Sequence, residues 1–247
     1  MKLSVQKVLT FLGISILVTI LVSVLTFRSS ESSTDVSLDF PPALILQMRD
    51  LEKFSTLTFV LTDAGRTWFL IPKEIVIADS PRRVTSNDLA NGILTDAVRS
   101  SFSSLLQYED VDVWQLEANA LSAFVEVIGG YEVKSQRLNG IQALEYLSIG
   151  ESGDTKRFLR LWRSIVIKLD AGELSSVLPN LGSTSRSNRP IESLISYFGS
   201  MQATIESNPI TMRKVKYIEG SVNGRIGLYL REKSRLAIVK SIEEGIE

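Results

Sequence analysis

The chain of 247 residues contains no cysteine and no histidine. Without cysteine there are no disulfides, no lipid anchor through a thiol and no thiolate metal site. That composition fits an exported domain that does not depend on disulfides. Without histidine there is no Ser-His-Asp triad, and the commonest general base near neutral pH is missing. Any catalysis falls to carboxylates, lysine, arginine, hydroxyls or a metal held by oxygen. Charge of one sign is lacking too: 27 Lys and Arg face 28 Asp and Glu, for a net charge of −1. No long run of either sign occurs, which argues against free nucleic acid as a partner. Internal repeats and low-complexity tracts are also missing.

What is present begins with an uncharged apolar run, Val8 to Phe27, about the 20 residues needed to cross a hydrocarbon core. Lys2 and Lys7 precede it, while Glu31, Asp35 and Asp39 follow Arg28. This asymmetry predicts a single-pass anchor with the N-terminus inside and the C-terminal domain outside the cell membrane. A cleaved signal peptide is the rival reading, but Val22-Ser23-Val24 and Ser29-Ser30 are poor small-x-small cleavage sites. The expected organisation is a cytoplasmic tail over 1–7, a transmembrane anchor over 8–27, a Ser- and acid-rich tether over 28–40 and one outer domain over 41–247, opened by Pro41-Pro42.

Within the outer domain, Leu57 to Thr62 and Thr67 to Ile71 read as strands joined by a turn at Asp63 to Arg66, with Pro72 ending the second. Apolar residues from Leu89 to Leu106 recur at helical spacing, so a helix is expected from about Leu89 to Gln107 behind a Ser86-Asn87-Asp88 cap. Val111 to Glu117 reads as a strand, and Ala118 to Ile128 as a helix stopped by Gly129-Gly130. A strand over Tyr131 to Lys134, a turn at Asn139-Gly140 and a short helix over Ile141 to Leu147 follow. Asp154 is expected to cap a helix to about Asp170. Leu178 to Arg189 reads as a loop and Pro190 to Gln202 as a helix. Two strands turning at Asn223-Gly224 within Arg213 to Arg231, then a helix over Arg235 to Gly245, complete the chain. Strands and helices interleave, so the fold class is α/β: a central mixed β-sheet flanked by helices.

The candidate chemistry starts with the basic helix opening, where Lys156, Arg157, Arg160 and Arg163 follow Asp154. Cations there oppose the helix dipole, and a bound phosphate would remove the conflict through the free N–H groups and guanidinium forks. Solvation, or pairing with Glu151 and Asp154, accounts for Lys156 and Arg163; for Arg157 and Arg160 both readings stand. Lys73-Glu74 follows a strand end, a favoured ligand position, although a lone Lys-Glu pair is more often a surface ion pair. Asp50, Glu52 and Lys53 read as a solvated cluster. Asp110 and Asp112 read as two spaced acids in a loop, and Trp68, Trp114 and Trp162 as core or pocket wall.

The order of segments resembles the LytR–CpsA–Psr (LCP) family of cell-envelope proteins from about Ala43 to Glu247. The family's Ile-Pro-Arg-Asp strand end is matched by Ile71-Pro72-Lys73-Glu74, and its Val-Asp-Ala-Leu-Gly-Gly-like segment by Val125-Glu126-Val127-Ile128-Gly129-Gly130. Leu-Asp-Gly-x-Gln-Ala-Leu-x-Tyr-x-Arg corresponds to Leu138-Asn139-Gly140-Ile141-Gln142-Ala143-Leu144-Glu145-Tyr146-Leu147-Ser148. Asp-x-x-Arg-x-x-Arg-Gln corresponds to Asp154 through Arg157 and Arg160 to Leu161.

The resemblance implies transfer of a glycopolymer phosphate from a polyprenyl-pyrophosphate carrier to peptidoglycan or a similar wall acceptor. It implies that Arg157, Arg160, Lys73 and Arg49 hold the diphosphate, that acids hold a divalent metal, and that an apolar pocket holds the lipid. Lys73 keeps the strand-end charge but not the bidentate fork. The family's Asp-x-Arg segment is represented by Gln47-Met48-Arg49, and its Arg-Ser-Asp-Thr segment by Lys53-Phe54-Ser55-Thr56. Both metal-binding acids are therefore replaced, with Asp50 and Glu52 the nearest substitutes for a Mg²⁺ site of altered form. Three expectations stand: a divergent transferase, a non-catalytic module that binds lipid-linked phosphate or partners an active relative, and an unrelated anchored domain.

Overall fold

Ala43-Leu44-Ile45-Leu46 is too short and too evenly apolar to show strand alternation, yet it begins the strand β1 (Ala43–Asp50) at the middle of a six-stranded sheet. The computed structural model describes residues 40–50, 55–78, 83–91, 95–147, 154–222 and 225–245, all of them within one unit, Leu38–Glu247. The expected tail, the anchor and all of the tether but its last residue lie outside the described residues. Among the described residues, no helix is long and apolar enough to cross a membrane.

Beside β1 lies β2 (Ser55–Thr62), antiparallel, and on its other side β6 (Val111–Glu117), parallel. The strand β3 (Thr67–Ile71) pairs antiparallel with β2 through the expected turn, and β10 (Thr211–Lys214) adds in parallel outside it. A short strand β9 (Ser185–Ser187) closes the far edge antiparallel to β6. The order is β10-β3-β2-β1-β6-β9, so β1, β3, β6 and β10 end together at one rim. Small hairpins made by β4 (Val76–Ala78) with β5 (Val84–Thr85), by β7 (Tyr131–Val133) with β8 (Gln136–Leu138), and by β11 (Tyr217–Val222) with β12 (Arg225–Leu230) surround the sheet. This is the mixed, helix-flanked sheet that the interleaved pattern predicts.

Alternation along the strands divides the core in two. Leu44, Leu46, Met48, Phe59, Trp68 and Trp114 face one helical layer. That layer contains α3 (Ala118–Val127), α4 (Gly140–Leu147), α5 (Asp154–Lys168), α6 (Ala171–Val177) and α7 (Ile191–Ser207). Ile45, Val60, Phe69 and Val113 face the other, under α2 (Thr95–Leu106) and α8 (Glu232–Glu244). The first layer holds an aromatic cluster. Phe158 of α5 stacks on Phe59 at 5.4 Å, and Trp162 meets Trp114 edge-on at 5.9 Å. All three tryptophans are fully buried, which makes them core.

Local signals explain the well-read elements. The helix α3 stops where Gly129 and Gly130 take φ of +73° and +103°, and the Gly130 amide donates to Val125 O at 2.8 Å. Asn139 and Gln142 exchange side-chain to backbone hydrogen bonds of 3.0 and 2.9 Å, a reciprocal cap for α4. Gly140 lets α4 close onto α3, because a Cβ there would lie 2.5 Å from Ser122 O.

Several expectations are corrected. The helix expected from Leu89 to Gln107 is α1 (Ser86–Asn91) and, after 92–94 outside the described residues, α2. The loop expected over Leu178 to Arg189 contains a 3₁₀ turn, Leu178–Thr184, and the edge strand β9. The two strands expected over Arg213 to Arg231 are three: β10 joins the main sheet and β11–β12 form the hairpin, with Asn223-Gly224 outside the described residues. The helix expected to end at Gln202 runs to Ser207.

Candidate functional site

Four cations are expected to hold phosphate, and the structure places them as two pairs. Arg49 sits near the end of β1, opposite Thr56 on one neighbour and Glu117 on the other. Its guanidinium is 5% exposed and forms a salt bridge with Glu117, which is 14% exposed. Lys73 lies in the turn after β3, at the rim where β1 and β6 also end. Its Nζ is exposed, 4.0 Å from Glu74, and the pair lines a shallow 260 Å³ hollow with Thr85 and Asn87. Asn87 joins the two sides of this rim. Its amide donates to Lys73 O at 3.0 Å, and its Oδ1 accepts from Thr56 Oγ1 at 3.0 Å.

Arg157 and Arg160 belong to the helix layer over the opposite face. The Arg157 guanidinium lies 5.1 Å from the centre of the Tyr146 ring, and its Nη1 donates to Tyr146 O at 3.1 Å. Tyr146 in turn lies 6.3 Å from Tyr131. Burial pushes the Tyr131 phenol above the usual tyrosine range, Tyr146 adds to the rise, and the Arg160 charge partly offsets it. So both arginines belong to one exposed junction between α4 and α5. Among the described residues, no hydrogen bond or ion pair links this junction to Arg49 or Lys73.

Behind Arg49 the sheet carries a polar seam that sequence reasoning did not assemble. Gln47 Nε2 donates to Thr58 Oγ1 at 3.3 Å, and Gln47 Oε1 accepts from Gln115 Nε2 at 2.9 Å. These groups are almost fully buried. Two seam atoms lack a hydrogen-bond partner among the described residues: Arg49 Nε and Gln115 Oε1. Buried orphans of this kind are costly; an anionic ligand oxygen would satisfy the Arg49 donor but not the Gln115 acceptor.

No family model matches the chain, and no curated protein sequence matches it. Solved structures do. Bacillus subtilis TagV is 11% identical, with 84% of this chain and 98% of that one covered and a TM-score of 0.60. TagT bound to LIIa-WTA is 16% identical over 83% of this chain and 92% of its own, also at 0.60. The fold is LCP-like. A transcriptional regulator from Enterococcus faecalis, EF0465, shares it at 13% identity and a TM-score of 0.64, over 85% and 89% of the two chains.

The sequence resemblance implies a divalent metal beside the phosphate, and the described donors at this rim do not fit one. Mg²⁺ needs hard, mostly anionic oxygens. Gln47, standing where an acid is expected, offers a neutral amide whose oxygen and nitrogen are both engaged. The one carboxylate of the seam, Glu117, is held by a guanidinium. Among the described residues no three acids converge; the Asp50 side chain and Glu52 lie outside them.

Asp110 lies in the loop before β6, as expected, but Asp112 needs correction. Asp112 is in β6, not a loop, and is 1% exposed. Its oxygens accept from Arg189 Nε at 2.7 Å, Asn188 Nδ2 at 3.0 Å and the Tyr197 hydroxyl. The bond to Asp112 raises the Arg189 pKa further above its ordinary value. A carboxylate so saturated is a structural tie rather than a cation ligand. The partners lie too far along the chain for any local motif to have announced them.

Proposed function

We propose that this protein is a membrane-anchored LCP-like component of the cell envelope that binds polyprenyl-pyrophosphate-linked glycopolymer through arginines rather than through a metal. The polar seam carries this reading. A neutral glutamine, Gln47, stands where metal-assisted phosphoryl transfer would require an acid, and the nearby carboxylate of Glu117 is paired with Arg49. Arg49 and Lys73 would meet the diphosphate at the sheet rim, and Arg157 and Arg160 would meet the carrier or its glycan from the helical layer. Charge-assisted contacts to phosphate are the strong ones, and arginine supplies them bidentately. The similarity to TagT bound to a wall teichoic acid species supports a glycopolymer as the cargo. The charge asymmetry around Val8 to Phe27 supports an anchor with the domain outside.

Transfer to a wall acceptor such as peptidoglycan is the second reading, favoured by the LCP-like fold itself. The binding reading is tested with the full chain in neutral detergent, titrated with polyprenyl pyrophosphate and with the parent polyprenol. Preference for the pyrophosphate is expected. Equal affinity for the two would sink the phosphate grip, and turnover with a wall acceptor would replace binding by transfer.

A further inference from the structure

A second concentration of positive charge is lined by none of those four cations, although β10 ends at the same rim as β3. A cavity of about 390 Å³ opens between the end of β10 and the start of α8, lined by Arg213, Lys214, Lys216, Arg231 and Lys233 over the Phe69 ring. No acidic side chain lines it. Among the described residues none of the five forms an ion pair, in a chain whose net charge is −1. The nearest acid on the helix, Glu232, is committed to Arg235, whose guanidinium holds its carboxyl below the usual range. Five like charges around one concavity repel one another, and counter-charge from a ligand relieves that repulsion.

The cavity is held in shape by backbone bonds rather than by the lysines. The Arg231 amide donates to Lys216 O at 3.0 Å, and the Lys216 amide donates to Ser234 Oγ at 2.8 Å. Arg213 extends over Phe69, 5.9 Å from the ring centre, so the floor is apolar and the rim cationic. Arg231 is also the N-cap of α8 and makes no side-chain cap bond, so the start of this helix has no side-chain cap where the cavity opens. Its volume falls in the range of small-molecule sites, about 300 to 1,000 Å³.

We propose that this cavity is an anion subsite that grips phosphodiester groups of a soluble, polymeric ligand, through side chains other than the four cations assigned to the diphosphate. The polymer's identity as the carried glycopolymer rests on the proposed function; the preference for phosphate does not. A concave site with an aromatic floor suits a phosphate and its attached sugar or glycerol. An anionic bilayer, which exposed Ile218 and Ile226 on the β11–β12 hairpin would also suit, meets a flat surface and is the competing occupant.

The test compares the full chain with its Lys214→Ala/Lys216→Ala/Lys233→Ala variant, all three positions being exposed and outside the core. Each is titrated in neutral detergent with a short glycerol-phosphate oligomer, and separately with polyprenyl pyrophosphate. The expected result is an oligomer affinity lower by about tenfold or more in the variant, given contributions typical of exposed charges, with pyrophosphate binding unchanged. Unchanged oligomer affinity overturns the subsite and leaves the proposed function standing. Loss of affinity only for phosphatidylglycerol nanodiscs, measured against phosphatidylcholine ones, also overturns it in favour of a membrane surface. If the oligomer binds and the variant loses it while neither protein binds the pyrophosphate, the subsite stands and the proposed function falls.

Discussion

The strand β6 carries a buried carboxylate near its start and a half-buried one at its end, and the two are treated differently. Asp112 receives a guanidinium, an amide and a phenol, with none of its oxygens left over. Glu117 receives Arg49, whose Nε remains without a partner beside the orphaned Gln115 Oε1. Saturation marks a group whose task ends with folding. Incomplete pairing at a sheet rim, where β1, β3 and β6 end together, marks one left available for a ligand. The same strand thus ties the domain together at one end and presents the candidate phosphate site at the other.

The largest effect that would sharpen this contrast is on stability. Asp112→Ala is expected to cost about 2 to 4 kcal/mol, because it removes the buried acceptor of three hydrogen bonds, while Arg189 keeps its contact with Asp110. Urea unfolding measures it, and a cost below about 1 kcal/mol would remove the latch from the account. The folded fraction should keep its affinity for pyrophosphate. Arg49→Met should do the reverse. Its stability cost should stay near 1 to 3 kcal/mol, about that of stranding one hydrogen-bonded acceptor. Its pyrophosphate affinity should fall by roughly tenfold to a hundredfold, as loss of a charge-assisted contact implies. A variant that unfolds but binds normally would turn Arg49 into a second latch.

Smaller effects are expected on the helical layer. Arg157→Ala and Arg160→Ala should each weaken pyrophosphate binding by up to about tenfold. Stability should change by no more than about 0.5 to 1 kcal/mol, since both side chains are exposed and only Arg157 meets an aromatic ring. The smallest effect is electrostatic. Arg160 holds Tyr131 down against the rise caused by burial, so Arg160→Ala should move its phenol titration further up. A raised phenol makes the unfolded chain ionise first, so stability is lost as pH climbs through the ordinary tyrosine range. Ultraviolet titration of the variant should show a later phenolate, and an unchanged curve would separate Arg160 from Tyr131.

Elements with local signatures were legible in the sequence: the Asp63 to Arg66 hairpin, the Gly129-Gly130 stop, the Asn139-Gly140 turn and the basic opening of α5. β1 was not, because a central strand buried on both faces shows an unbroken apolar run with no period. β9 was not, because Ser185-Arg186-Ser187 owes its conformation to pairing with β6 rather than to its own side chains. β10 paired with β3 only through a contact between distant segments. The candidate site divides in the same way. Arg49, Lys73, Arg157 and Arg160 were named from segment order. The Arg49–Glu117 pair, the Gln47–Gln115 seam and the Asp112 tie join residues 68 to 85 positions apart, and only the sheet register brings them together.

The central claim is that cationic side chains, not a metal, meet the diphosphate at the sheet rim. Calorimetric titration of the full chain with polyprenyl pyrophosphate, with and without Mg²⁺, tests it most directly. Equal affinity in both conditions is the predicted result. Binding strengthened about tenfold or more by Mg²⁺, equivalent to about 1.4 kcal/mol, would mean that acids outside the described residues complete a metal site, and would contradict the account.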